Sequence, residues 1–191
     1  MSGGSAAKLK QALADLPTRQ MDRLLVRCVP QLDFDAGKPR QYLFASGLRN
    51  RCNPKGVACL YFSEEKETAR AEYEAQWRGT PKEHQPRLFF TARVSLRGVV
   101  DLGDRRVIET LRLTDEDLFG NWLLKTRPTP LEKLGRAIAG QRAVTALRFP
   151  SAATRRLGRE GWNLAIFRAA LKSPDRIEIL GNSGDPLEVL P

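Results

Sequence analysis

Histidine is almost missing from this chain of 191 residues, where His84 is the only one. A metal site built from several histidines is thereby excluded. A Ser-His-Asp or Cys-His mechanism would have to use His84, which sits in the polar stretch Thr80-Pro-Lys-Glu-His-Gln-Pro86 and reads as part of a solvated loop. Cysteine is scarce as well. Cys28, Cys52 and Cys59 are odd in number and follow no zinc or redox spacing, so reduced thiols and a cytoplasmic location are expected. No apolar run reaches the length of a membrane span, and residues 1–20 lack the apolar core of a signal peptide. A Gly-rich P-loop and a G-x-G-x-x-G turn after a strand are both absent, which removes two nucleotide cradles from consideration.

What is abundant is positive charge. Lys and Arg number 32 against 22 Asp and Glu, a formal net charge of +10. Such a surface attracts nucleotides, nucleic acids, acidic lipids and acidic proteins alike, and charge alone does not choose among them. The chain length and a hydrophobic fraction of 41% suit one globular domain with a sizeable core. Met1 to Ala7 reads as a tail, and Lys8 to Leu16 as a short amphipathic helix ended by Pro17. This gives a tail and helix over residues 1–20 ahead of a domain from 21 to 191.

Within that domain, Arg23–Val29 reads as a strand stopped by Pro30, and residues 31–55 as a long loop rich in Asp, Gly, Pro, Asn and Arg. Val57–Phe62 is the next strand. Ser63 is placed to cap a helix from Glu64 to about Trp77. Strands follow at Arg87–Val94 and Gly98–Asp101. Thr114-Asp-Glu-Asp117 opens a helix with Trp122 near its end, and Thr129-Pro130 opens another that Gly140 closes. Three late strands are expected at Ala143–Phe149, Asn163–Phe167 and Arg176–Leu180. Strands and helices mix without regular βαβ alternation, so the fold class is a single α+β domain.

Three segments carry candidate chemistry. The loop Gly47-Leu-Arg-Asn-Arg-Cys-Asn-Pro-Lys-Gly56 combines two arginines and a lysine with backbone-permissive residues. It can be a pyrophosphate site, because a guanidinium pairs two phosphate oxygens in a fork, or simply a solvated basic turn. In the helix after Tyr61, Ala69, Tyr73 and Trp77 form an apolar stripe. Glu72 falls about 60° from Ala69, on the border of that stripe, while Glu74 turns toward solvent. A half-buried Glu72 needs a partner, and Arg51 is a candidate; an ordinary boundary glutamate is the other reading. Ser151, just past a strand and Pro150, can point into a cleft or merely close a turn. The strand Gly161-Trp-Asn-Leu-Ala-Ile-Phe167 reads as mainly structural.

Taken in order, these segments resemble the RES domain, named for its Arg, Glu and Ser positions. The R-x-N-P-x-G loop is matched by Arg51-Cys-Asn-Pro-Lys-Gly56, the strand-ending tyrosine by Tyr61, and the alanine-rich helix by Ala69-Arg-Ala-Glu72. Phe149-Pro-Ser151 and Asn163-Leu-Ala-Ile-Phe167 match two later segments, and Arg27 and Trp122 match a first-strand arginine and a tryptophan before the central helix. Cys52 stands where an aromatic is frequent. The match spans roughly residues 21–170.

The resemblance implies an ADP-ribosyltransferase-like fold with a mixed sheet core, and a toxin paired with an Xre-type antitoxin. It also implies cleavage of the nicotinamide–ribose bond of NAD⁺ as substrate, with water, phosphate or a protein as acceptor and no metal. Glu72 would then stabilise the ribosyl cation, Arg51 and Arg27 would bind the pyrophosphate, Tyr61 would pack against nicotinamide or its ribose, and Ser151 would hydrogen-bond the substrate. Asn53, in the same loop, joins Arg27, Arg51, Tyr61 and Ser151 as an NAD⁺-binding candidate. A homodimer is an open partner state. Two alternatives stand beside this reading. One is a basic nucleic-acid-binding module, motivated by the charge and by Arg105-Arg106 and Arg155-Arg156, although the aromatics do not interleave with the basic residues. The other is a RES-like interaction protein without catalysis.

Overall fold

The structure is a computed structural model that describes residues 9, 11–35, 43, 45, 47–141 and 143–191. The expected tail, the start of the expected first helix and much of the loop between 36 and 46 lie outside the described residues. Helix α1 covers 11–15, and its Leu13 is buried together with Leu16 just beyond it. The next elements are β1 (Arg19–Pro30), α2 (Gln31–Asp35), β2 (Cys59–Ser63), α3 (Lys66–Trp77) and β3 (Arg87–Asp101). They are followed by α4 (Arg105–Leu111), α5 (Asp115–Phe119), a 3₁₀ turn at Trp122–Leu124 and α6 (Pro130–Ala139). The last part comprises β4 (Ala146–Pro150), α7 (Ala152–Arg156), β5 (Trp162–Phe167), a 3₁₀ turn at Arg168–Ala170, β6 (Arg176–Leu180) and β7 (Pro186–Leu190).

The strands form one mixed sheet in the order β1-β2-β5-β4-β3-β6-β7, and β1 pairs with β3 as well. The β3–β4 pair is parallel and the remaining pairs are antiparallel. Strand β1 touches β2 at Val26 and Ser63 but runs along β3 for most of its length. The sheet therefore turns back on itself. Side chains alternate across it and divide the core in two. Cys59, Leu147, Phe149, Ala165 and Phe167 face a layer with Leu118 of α5 and Leu131, Leu134 and Ile138 of α6. Leu25, Leu60, Phe62, Val94, Leu164 and Ile166 face the second layer. Burying such side chains stabilises a fold by about 1.5–3 kcal/mol each.

The single α+β domain agrees with the sequence reading, and several elements differ in their limits. The two strands expected at Arg87–Val94 and Gly98–Asp101 are one continuous β3, because Ser95 and Leu96 pair across to Asp22 and Met21 of β1. Cross-strand hydrogen bonds override the break that Gly98 suggests. A short helix, α2, opens the segment expected to be a loop, its first residue donating from Gln31 N to the Pro86 carbonyl at 2.8 Å. Trp122 begins a separate 3₁₀ turn beyond α5, which stops at Phe119. Ser63 is not the cap of α3: Glu65 occupies that position, and the Ser63 hydroxyl points across the sheet.

Candidate functional site

Register along β2, β5 and β4 sets the floor of the site. Ser63 stands opposite Asn163, and Asn163 opposite Phe149, so these three side chains form a row across the sheet on the face that also carries Tyr61. Ser63 and Asn163 are 5% and 4% exposed, an uncommon place for polar groups, and they satisfy each other. The Ser63 hydroxyl donates to Asn163 Oδ1 at 2.7 Å.

Helix α3 brings Glu72 onto this row. Thr68, Ala69, Ala71 and Tyr73 form the buried side of the helix, and Glu72 lies half-buried between them and solvent. Its Oε1 accepts two hydrogen bonds, from Ser151 Oγ at 2.6 Å and from Asn163 Nδ2 at 2.8 Å. The loop end of α7 supplies Ser151. Its Oγ also accepts from Thr154 N at 3.1 Å, so the hydroxyl caps α7 while its proton is committed to Glu72. Gly161 permits α3 and α7 to meet here, since a Cβ at that position would lie 2.5 Å from Thr68 Oγ1 and 2.7 Å from Thr154 Oγ1. Glu74, two residues beyond Glu72, is instead an exposed ion-pair partner of Arg70 at 2.9 Å and Arg87 at 2.8 Å. The hydrogen bonds of Arg70 and Arg87 hold its carboxyl below the usual carboxylate range.

The 47–56 loop forms the opposite wall. Asn50 and Asn53 exchange backbone hydrogen bonds across a tight turn, at 2.9 and 3.2 Å, and Gly56 N closes back onto Gly47 O at 2.9 Å. Asn53, 2% exposed, spends its amide inside the loop. It donates to the carbonyls of Leu48 at 2.7 Å and Val57 at 2.8 Å, and accepts from the Tyr61 hydroxyl at 2.7 Å. The Tyr61 oxygen in turn accepts from Cys52 N at 3.1 Å. Burial drives the Tyr61 hydroxyl well above its ordinary pKa, so it stays protonated and acts as a clasp on the loop. The Tyr61 ring meets Phe149 edge-on at 6.3 Å, which joins the loop to the Glu72 row.

Arg51 is 8% exposed and donates from Nη1 to the Leu118 carbonyl at 2.9 Å, at the end of α5. It does not pair with Glu72, as the sequence had suggested; both charges instead flank the Cys52 thiol, which burial pushes up to about 12. Arg49, the other arginine of the loop, is wholly engaged elsewhere. It grips Glu132 of α6 with Nε and Nη2 at 2.6 and 3.0 Å and also donates to the Lys125 carbonyl. Helix α6 approaches so closely that a Cβ on Gly135 would fall 1.8 Å from the Cys52 carbonyl oxygen.

Arg51, Asn53, Tyr61, Glu72 and Ser151 thus gather around one face of β2, β5 and β4. Arg27 does not join them. Alternation along β1 places it with Met21 and Leu25 toward the second core layer, its guanidinium 6.0 Å from the Phe62 ring centre. Burial lowers its pKa to about 10, which leaves it charged at neutral pH. Asn163 is the site residue that sequence reasoning passed over as structural. Its signal was present: an asparagine inside the otherwise apolar run Trp162–Phe167 must find buried partners. Among the described residues no cluster of His, Cys, Asp and Glu could hold a metal ion, and no helix is long and apolar enough to cross a membrane.

The RES domain family model matches residues 24–187 of this chain. The chain belongs to the RES domain family. The match runs from within β1 to the start of β7, and so takes in the whole of the Glu72 site of this RES domain. No curated protein matches the chain. Among solved structures, it is similar to a chain in the crystal structure of the M. tuberculosis MbcT–MbcA toxin–antitoxin complex. The two share a TM-score of 0.68 and 17% identity, over 91% of this chain and 90% of that one. At that identity the likeness is one of fold.

Proposed function

We propose that this RES domain is the NAD⁺-consuming toxin of a toxin–antitoxin pair, cleaving the bond between nicotinamide and ribose. The observation that carries the reading is Glu72, held through Oε1 alone by Ser151 and Asn163. Its other oxygen, Oε2, makes no hydrogen bond among the described residues and is available to substrate. Bond cleavage sends the C–N electron pair to nicotinamide, which leaves neutral, while positive charge grows on the ribose. A fixed carboxylate oxygen is well suited to stabilise that charge. Water, or a phosphate oxygen, then adds at the ribose carbon; with water the products are ADP-ribose, nicotinamide and a proton.

Arg51 keeps Nε and Nη2 for phosphate oxygens while Nη1 anchors the group to α5. Tyr61 and Asn53 act by shaping the loop, and Ser151 acts through Glu72 rather than by donating to substrate. The family resemblance gives Arg27 a phosphate-binding role too; that role requires substrate to reach the second layer beside Phe62. Membership of the RES family and the toxin–antitoxin origin of the similar chain support the reading, in which the protein acts on cytoplasmic NAD⁺. An Xre-type antitoxin would cover the opening between the 47–56 loop and Ser151, presenting acidic or carboxyl-terminal groups.

The test is incubation with NAD⁺, with and without phosphate, followed by chromatography. Nicotinamide with ADP-ribose or its phosphorylated form is expected, and added antitoxin should stop their release. Absence of nicotinamide under every acceptor condition, with no antitoxin present, would sink the proposal.

A further inference from the structure

We infer that Ser63 and Asn163 form a positioning pair that sets the orientation of Glu72, so that Oε1 is pinned and Oε2 is presented to substrate. This rests on the reading of Glu72 as the residue that stabilises the ribosyl cation. The pair is built by strand register: Ser63 and Asn163 are direct neighbours across β2 and β5, and a slip of one strand by one residue would put them on opposite faces. Their polarity is costly at 5% and 4% exposure unless it is met by hydrogen bonds.

The hydrogen bonds run in one direction. Ser63 Oγ donates to Asn163 Oδ1 at 2.7 Å, and Asn163 Nδ2 donates to Glu72 Oε1 at 2.8 Å. An amide turned the other way would set its carbonyl oxygen against the carboxylate. The Glu72 carboxylate, which only accepts, therefore selects the orientation in which Asn163 offers it an N–H, and the Ser63 proton holds the Oδ1 on the other side of that amide. Ser151 reaches the same Oε1 from α7 at 2.6 Å. Two donors from different elements meeting on one oxygen fix the carboxylate plane, where one would let it swing. Ser63 and Asn163 are buried, and Asn163 hydrogen-bonds Glu72 directly, so the pair acts on the reaction through Glu72.

A double-mutant cycle tests this, with nicotinamide release and thermal melting as readouts. Asn163→Ala is expected to lower kcat roughly 10–100-fold with little change in KM. In a Glu72→Gln background the same change should cost nothing further, because the residue it positions is already disabled. Ser63→Ala, a small truncation that keeps the fold, should lower kcat several-fold, and Ser63→Thr should recover most of the loss by restoring a hydroxyl. Wild-type kcat in either Asn163→Ala or Ser63→Ala overturns the proposal while leaving Glu72 in place. So does a loss that multiplies with that of Glu72→Gln, which would mark a general structural role. Should the wild-type protein release no nicotinamide, the NAD⁺ reading fails by itself. A crystal structure of the Asn163→Ala variant then decides the positioning claim, which is lost if the Glu72 carboxylate keeps its place.

Discussion

Two glutamates two residues apart on one helix show how finely position decides the role of a residue. Glu72 receives neutral donors on one oxygen and makes no hydrogen bond with the other among the described residues, whereas Glu74 is 40% exposed and shared by two arginines. Glu72→Gln keeps the two hydrogen bonds to the remaining carbonyl oxygen but replaces Oε2 by an N–H₂ group. Loss of one such electrostatic contact costs about 3 kcal/mol, so nicotinamide release should fall at least ~100-fold while the melting temperature barely moves. Glu74→Gln should leave turnover nearly unchanged. Equal rates in the two variants would remove Glu72 from the mechanism. The 3.6-residue period placed Glu72 on a half-buried border, and that is how it lies. Its partners were not accessible to the same reasoning. Ser151 and Asn163 are 79 and 91 residues away in sequence, and only the sheet brings them within hydrogen-bonding distance.

At the level of elements, the 47–56 loop depends on α6 for its shape. Arg49 and Glu132 form a two-pronged ion pair, and Glu132 also accepts from Thr129 N at 2.8 Å as part of the helix capping box. Burial opposes ionisation of Glu132, but the hydrogen bonds from Arg49 and Thr129 outweigh it and its pKa falls below 4.5. The sign of the linkage follows. A depressed carboxyl contributes stability that is complete above the unfolded value near 4.5 and lost as pH drops through the folded value. Glu132→Gln should therefore melt lower at neutral pH, by roughly 5–10 °C for a loss of about 3 kcal/mol. The gap to wild type should shrink as pH falls below about 4.5, as read by calorimetry through the acid range. A gap that stays constant would show that the charge of Glu132 is unimportant to the anchor. Capping at Thr129 could be foreseen from Thr-Pro-Leu-Glu, but the partner of Glu132 could not.

Across the whole molecule, the net charge of +10 invites a nucleic-acid role, against which several contacts of the described arginines weigh. Arg155 and Arg148 lie 3.8 and 3.7 Å from the ring centres of Phe119 and Trp162, so arginines already cover faces on which bases would stack. Many other basic groups are paired, as in Arg19 with Asp101 and Arg23 with Glu64. Binding to duplex DNA should accordingly be weak, indifferent to sequence and steeply reduced by salt, as a titration at several ionic strengths would show. A tight sequence-specific footprint at physiological salt would restore the nucleic-acid reading.

Composition, periodicity and turn chemistry by themselves determined that this is one α+β domain, that α3 carries a border glutamate, and that Thr114 and Thr129 start helices. These features depend on neighbours within a few residues, so local physics is enough to specify them. The ordered loop, tyrosine, glutamate and serine also identified the family. Tertiary structure alone decided that Ser63 faces Asn163 instead of capping α3, that Arg51 anchors to Leu118, and that Arg27 lies in the other core layer. Each of these depends on which strands become neighbours and in what register. A shift by one residue exchanges the two faces of a strand without changing anything local, so the choice between them is made by the packed sheet.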